Sequence, residues 1–75
     1  MKIYEVYKDF SDEYNQDYES FGHFLNKDKA VEKFGLVLKE RESLSDEEIK
    51  DAKRDCSYDV YYVGFYGVKE IDVIE

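Results

Sequence analysis

The last seventeen residues of the chain constrain its fold more than any other segment. The run from Asp59 to Glu75 contains ten β-branched or aromatic side chains, which is typical of strands throughout. Gly64 and Gly67 interrupt the run and leave two interpretations open: one long bulged strand, or a hairpin that turns through Gly64–Gly67. We favour the bulged strand, because the Phe and Tyr between the two glycines are poor turn residues.

The N-terminal part of the chain supplies further strand-forming residues. Lys2–Lys8 is rich in β-branched and aromatic side chains, and Ser20–Leu25 has the composition of a second short strand. Between them, Asp9–Glu19 is rich in Asp, Ser and Asn, whose side-chain oxygens bond to nearby backbone and favour turns. The sequence therefore predicts an antiparallel hairpin with a wide acidic loop.

Two helical segments separate this hairpin from the C-terminal run. The first is predicted from Lys27 to about Arg41, with Asn26 as its N-cap. The second begins after Ser45, which forms a capping box with Glu48. Gly35 lies inside the first helix, where it marks either a close approach to the sheet or a weak point.

These segments together predict an α+β fold of order ββααβ. We expect a twisted antiparallel sheet of three or four strands with both helices packed on one face. Residues 1–75 are expected to form a single domain, because a chain of this length has no room for a second core. Cys56 is the only cysteine, so the core holds without a disulfide and a zinc site of paired cysteines is excluded.

The charge of the chain limits the partners that it can bind. Nineteen acidic and eleven basic residues give a formal net charge of -8, which repels nucleic-acid phosphates and anionic lipid. The apolar stretches are far shorter than the roughly 20 residues that span a bilayer. The N-terminus lacks the apolar region of a signal peptide. We therefore expect a cytoplasmic protein that binds neither nucleic acid directly nor membranes.

Acidic residues form two candidate partner-binding faces. One is the acidic loop, and the other is a column in the second helix where carboxylates recur every four residues, about 6 Å apart. That spacing resembles phosphates along a nucleic-acid strand and suits the basic groove of a nucleic-acid-handling protein, although interleaved cations are also typical of a solvated helix face. The candidate residues are Asp9, Asp12, Glu13, Asp17, Glu40, Glu42, Glu47, Asp51 and Asp55.

Tyrosine is unusually frequent in this chain. Eight tyrosines and five phenylalanines exceed what so small a core can bury, so some are expected at the surface. Tyrosine is enriched at protein interfaces, which makes Tyr61, Tyr62 and Tyr66 candidates for an interface with a second copy or with a different protein. The alternative is that their hydroxyl groups reach solvent from a thin core.

The sequence offers little that suggests catalysis or cofactor binding. His23 and Cys56 are the only base and nucleophile of the cysteine-enzyme type, and their segments read as a strand and a buried helix face. No phosphate-binding glycine loop and no cluster of metal ligands is recognisable, so we expect no catalytic residues, no metal and no cofactor. A small enzyme or ligand-binding domain using these residues or the loop carboxylates stays a remote alternative.

Several short segments carry a resemblance to a known group of proteins. They are Tyr4-x-Val6-Tyr7, Phe10-Ser11-Asp12-Glu13-Tyr14, Phe21-Gly22-His23-Phe24, Asn26-Lys27-Asp28-Lys29-Ala30 with Phe34, and Tyr66-Gly67-Val68-Lys69-Glu70-Ile71. In these segments, which cover about half of the chain, it resembles a loose group of small proteins from phages and mobile elements of low-GC Gram-positive bacteria. The resemblance implies a hairpin-helix-strand fold and a phage or prophage origin.

The resemblance and the charge together suggest a function. Small acidic phage proteins often bind and block a host protein, as anti-CRISPR proteins and other DNA-mimicking inhibitors do. We therefore expect a non-enzymatic inhibitor or modulator that binds a basic, nucleic-acid-handling host protein. The alternative is a self-assembling module, a homodimer joined through the tyrosine-rich strand or an exposed sheet edge.

Overall fold

A computed structural model describes residues 1–11, 14, 16–60 and 64–74 of the chain. It is an α+β fold with a four-stranded antiparallel sheet and two helices, which confirms the predicted class. The sheet order is β2-β1-β4-β3. The elements are β1 (Lys2–Asp9), β2 (Tyr18–Phe24), α1 (Lys27–Glu42), α2 (Asp46–Asp55), β3 (Ser57–Val60) and β4 (Gly64–Asp72).

The C-terminal run forms two strands, so the predicted single bulged strand and the order ββααβ are wrong. The observed order is ββααββ, and β3 pairs with β4 from Ser57 opposite Gly67 to Val60 opposite Gly64. The chain therefore reverses ahead of Gly64. Gly64 has a φ of +153°, and a Cβ at this position would overlap the carbonyl oxygen of Asp9 at the end of β1. Glycine is favoured both in turns and where two backbone segments approach closely, so its presence in the sequence does not distinguish these cases.

Both helix starts follow the predicted capping. The Asn26 side chain accepts hydrogen bonds from the backbone N–H groups of Asp28 and Lys29 at 2.8 and 3.3 Å. Ser45 and Glu48 form the reciprocal capping box at the start of α2. These caps satisfy N–H groups that have no partner inside the helix, so the local sequence is enough to fix both boundaries.

The core lies between one side of the sheet and the two helices. Val6 in β1 and Tyr66 in β4 point to the same side of the sheet, where they meet the buried residues of both helices. We call the opposite side, which carries Glu5, Tyr7 and Lys69, the open face. The buried core consists of Val6, Ala30, Phe34, Val37, Leu38, Ile49, Ala52 and Tyr66.

β2 departs from the regular alternation that its sequence predicts. A register shift between β1 and β2 follows Val6, which lies opposite Gly22 with its φ of +133°. In a regular strand Phe21 and Phe24 would lie on opposite faces, but here both pack against the core. The irregularity turns an additional aromatic side chain towards the helices, because a bulge changes the direction in which a side chain points.

Gly35 marks a close approach between the two helices and not an approach to the sheet. A Cβ on Gly35 would overlap the end of the Lys53 side chain and lie 3.3 Å from Cγ2 of Ile49, both in α2. The absence of a side chain lets α2 cross α1 at short range.

The two ends of the described chain lie side by side. The backbone N–H of Val73 donates to the carbonyl oxygen of Met1 at 2.8 Å, which extends the pairing of β1 with β4. None of the described helices is long and apolar enough to cross a membrane.

Candidate partner-binding site

A groove lies between α2 and the edge strand β3. α2 ends at Cys56, whose left-handed conformation, with a φ of 56°, turns the chain directly into β3. The last turns of α2 therefore lie beside β3 and enclose a groove of about 360 Å³. It is lined by Glu48, Asp51, Ala52, Asp55, Ser57, Tyr58 and Asp59.

The lining of this groove combines negative charge with an apolar floor. Glu48, Asp51, Asp55 and Asp59 are the acidic residues of the lining, whereas the buried Ala52 and half-buried Tyr58 contribute apolar surface. A lysine or arginine side chain matches this arrangement, because its aliphatic stem packs on apolar surface while its charged end binds carboxylates. We call the groove lined by these four acidic residues the acidic groove.

The ion pairs of the acidic groove leave it negatively charged. Arg54 lies 3.7 Å from Asp51 and 3.6 Å from Asp55. All three side chains are exposed, and pairs of this kind contribute about 0–1 kcal/mol each. A partner's cation can therefore replace Arg54 at little cost.

The structure brings together only part of the predicted acidic set. Asp51 and Asp55 line the groove, with Glu47 exposed on the same helix and Glu40 exposed on α1. Glu48 and Asp59 were not among the predicted site residues. Glu48 lies on the same face of α2 as Asp51, and the sequence assigned it only to the capping box. Asp59 lies at a strand start in the sequence, and the turn at Cys56 brings it to the groove.

The other predicted acidic residues bind groups of this same chain or lie outside the described residues. Asp9 accepts a hydrogen bond from the Ser11 backbone N–H at 3.2 Å, and Asp17 lies 3.2 Å from the Lys8 ammonium group. Glu42 accepts a hydrogen bond from the Tyr66 hydroxyl at 2.9 Å. Asp12 and Glu13 lie outside the described residues. The acidic loop is therefore a weaker candidate than the groove.

Tyr66 is part of the core, so its predicted place in an aromatic interface is wrong. Its exposed fraction is 2%, and its ring packs against Phe10 and Phe21. Burial, with the neighbouring Glu42 carboxylate, raises the pKa of Tyr66 to about 12. Its position in the strand pattern is equally compatible with burial and with exposure, so the sequence does not determine which of the two occurs. Tyr61 and Tyr62 lie outside the described residues.

Glu5 is a buried carboxylate on the open face, and no pattern in the sequence singles it out. It is 6% exposed, although it lies on the side of the sheet away from the core. The Tyr18 hydroxyl donates to it at 2.5 Å, and the side-chain nitrogens of His23 and Lys69 each lie 3.1 Å from it. Lys69 also lies over the Tyr18 ring. Glu5 therefore links β1 to both neighbouring strands.

These contacts shift the pKa values of the groups around Glu5. Burial disfavours the charged form of Glu5, but hydrogen bonds from Tyr18, Ser20 and Lys69 outweigh it and lower the pKa of Glu5. Burial and the bond to Glu5 raise the pKa of Tyr18, while the bonds to Tyr18 and Glu5 raise that of Lys69. The cluster is thus held as a carboxylate, a neutral phenol and an ammonium ion near neutral pH.

The geometry gives no support to a pairing of His23 with Cys56. His23 contacts Glu5 on the open face, whereas Cys56 lines a groove of about 180 Å³ with Tyr4 and Val68 on the core side of the sheet. The two side chains therefore lie on opposite sides of the sheet. Among the described residues, no group of three His, Cys, Asp or Glu side chains is arranged to hold a metal ion.

Comparison with known proteins assigns neither a family nor an activity. No protein-family model, curated protein or solved structure matches the chain. The surface of the molecule is therefore the basis for a functional proposal.

Proposed function

We propose that this protein is a non-enzymatic binding protein that presents the acidic groove to a basic surface of another protein. The observation that carries the proposal is the presence of four acidic residues in the lining of one groove with an apolar floor. Charge complementarity of this kind speeds association and selects basic partners. A lysine or arginine side chain of the partner fills the groove.

The class of partner follows from the charge pattern and the sequence resemblance. The exposed column of Glu47, Asp51 and Asp55 continues the groove along α2 with a spacing similar to that of phosphates. A protein that handles nucleic acid offers the matching basic surface. We place the protein in the cytoplasm of a bacterial host, as an inhibitor or modulator encoded by a phage or mobile element, because of the segments that resemble such proteins.

The proposal is tested by capturing partners from host-type bacterial lysate and measuring their affinity for matched charge variants. Asp51→Asn with Asp55→Asn removes two groove charges, whereas Asp28→Asn with Glu32→Gln removes two exposed charges of α1. We expect the groove variant to weaken binding at least about tenfold, because charge-assisted hydrogen bonds contribute about 1.5–3 kcal/mol each. The α1 variant should bind nearly as tightly as the wild type.

Salt dependence provides a second readout of the same interaction. Binding through the groove should weaken between about 50 and 200 mM salt, because exposed charges are then screened over shorter distances. Equal losses in the two variants would mean that only net charge matters. An affinity that is unchanged by both salt and the groove variant would overturn the proposal.

A further inference from the structure

The open face of the sheet carries an aromatic surface that no element of the described chain covers. Tyr7 stacks on Tyr18 with ring centroids 5.6 Å apart, and Phe65 meets Tyr7 edge-on at 5.8 Å. Tyr18 remains 47% exposed. Ile3 and Ile71, directly opposite each other on β1 and β4, extend the same surface. Rigid aromatic side chains of this kind are enriched at protein interfaces.

The accessible surface of the chain is larger than that of a compact monomer. The chain exposes 5534 Å², whereas a folded monomer of 9.0 kDa exposes about 4,850 Å². The surplus of about 700 Å² is close to the ~800 Å² that each partner buries in an interface of standard size. The molecule is also only 17 Å thick, against 38 and 33 Å in the other two directions. A second layer on the open face would bury part of this surface and increase the thickness of the assembly.

The charges at the centre of the open face favour a second copy of this chain as that layer. Each copy carries a formal charge of -8, so two copies associate only where local charge is balanced. At the centre of the open face, the Glu5 carboxylate is already paired with Lys69, whose ammonium group lies over the Tyr7 and Tyr18 rings. At this centre, no unpaired carboxylate of the described residues is available to a basic partner. A second copy of the same face would instead present an equally charge-balanced surface.

We propose that two copies of this chain form a dimer by packing their open faces together around a twofold axis. Face-to-face sheets pack about 10 Å apart, which places the aromatic residues of each copy against those of the other. The contact is isologous, so the same residues serve both copies. This surface is separate from the acidic groove and does not depend on the function proposed for it.

The oligomeric state of the full chain and of two matched variants tests the dimer. Ile71→Glu adds a carboxylate to the open face, and Leu36→Glu adds one to a leucine of α1 that is 53% exposed. Both variants change the net charge equally. Sedimentation equilibrium from about 1 µM to 1 mM should show the wild-type mass rising from 9.0 kDa towards twice that value, as mass action requires.

The two variants should then differ. We expect Ile71→Glu to weaken dimerisation at least about a hundredfold, because each dimer would bury two unpaired carboxylates. Leu36→Glu should dimerise like the wild type. Ser20→Lys, a second change on the open face opposite Tyr7, should also weaken the dimer. Far-ultraviolet circular dichroism of each variant separates loss of dimerisation from loss of the fold.

Two outcomes would overturn the dimer. One is a wild-type mass that stays at 9.0 kDa up to about 1 mM. The other is a dimer that folded Ile71→Glu and Ser20→Lys retain, because its interface would then lie elsewhere. Added salt should strengthen the dimer by screening the repulsion between two acidic copies, whereas it should weaken binding through the acidic groove. A failure of one proposal is therefore distinguishable from a failure of the other.

Discussion

Glu5 is buried by side chains of its own sheet, although no second layer of the described structure packs over it. Its carboxylate is buried by the side chains that bind it, Tyr18, His23 and Lys69, and these come from the strands on both sides of β1. A buried charge without partners is costly, so removing any donor leaves part of that cost uncompensated. The stability of the central strands should therefore depend on the ionised form of Glu5.

Substitution of Glu5 should destabilise the protein in a pH-dependent manner. Glu5→Gln is expected to lower the free energy of unfolding at pH 7 by about 1–3 kcal/mol, because charge-assisted hydrogen bonds are lost. The folded-state pKa of Glu5 lies below its ordinary value of 4.5, so its stabilising contribution is complete above pH 4.5. That contribution is lost as the pH falls through the lowered pKa, and the difference between variant and wild type should shrink there.

Urea unfolding at pH 7 and at several values below pH 4.5 measures this difference. The matched control is Glu40→Gln, an exposed carboxylate of α1, which should change the free energy of unfolding by less than about 0.5 kcal/mol. A Glu5→Gln effect that is the same at every pH would show that shape, and not charge, holds the cluster together.

The effect of substituting Gly35 on stability should depend on Lys53, whose side chain lies next to it. Replacing a helix-interior glycine by alanine stabilises by about 1 kcal/mol when space allows, but here the new Cβ would displace the Lys53 side chain. We expect Gly35→Ala to be nearly neutral alone and to stabilise by about 0.5–1 kcal/mol in a Lys53→Ala background. A double-mutant cycle of urea unfolding measures the coupling, and identical effects in both backgrounds would contradict it.

At the scale of elements, the sequence predicted those whose signals are local. The caps at Asn26 and Ser45 and the strand composition of Lys2–Lys8 each depend on neighbours within a few residues, so α1, α2 and β1 were found. The C-terminal hairpin depends on the approach of Asp9 to Gly64, more than fifty residues apart in the chain. Composition alone cannot report such a contact, and the bulged strand was therefore predicted in error.

Two serines in the connection between the helices should respond in opposite directions. Ser45→Ala removes the cap of α2 and should destabilise by about 1 kcal/mol. Ser43 ends α1 in a left-handed conformation with a φ of 53°, so Ser43→Gly should stabilise by up to about 1 kcal/mol. Thermal and urea unfolding of both variants measure the difference. Changes of the same sign would mean that this connection is not organised by its caps.

At the scale of the whole molecule, the candidate site was predicted only where one element supplies it. The four-residue spacing of Asp51 and Asp55 is a property of a single helix, so their shared face could be read from the sequence. Glu48 lies on the same helix, but its capping role drew attention away from that shared face. Asp59 joins them only because the chain turns at Cys56 and places β3 beside α2. The open-face cluster combines residues of three strands, and no spacing along the chain predicts which carboxylate they enclose.

The acidic groove and the open face therefore differ in chemistry. The acidic groove keeps its carboxylates at the surface, where the nearby Arg54 pairs are weak. The open face instead pairs its central carboxylate within the chain and exposes aromatic rings. A charged partner and an identical copy would each select a different surface, so the two could be bound at once.

The side-by-side ends of the chain have a further consequence. Because Met1 and Val73 are hydrogen-bonded neighbours on adjacent central strands, a linker of a few residues could join them without disturbing the sheet. Such a circle would turn β4 and β1 into a continuous hairpin at the middle of the sheet. New ends could then be opened in the segment between β1 and β2, so the order of the elements along the chain is separable from their arrangement in space.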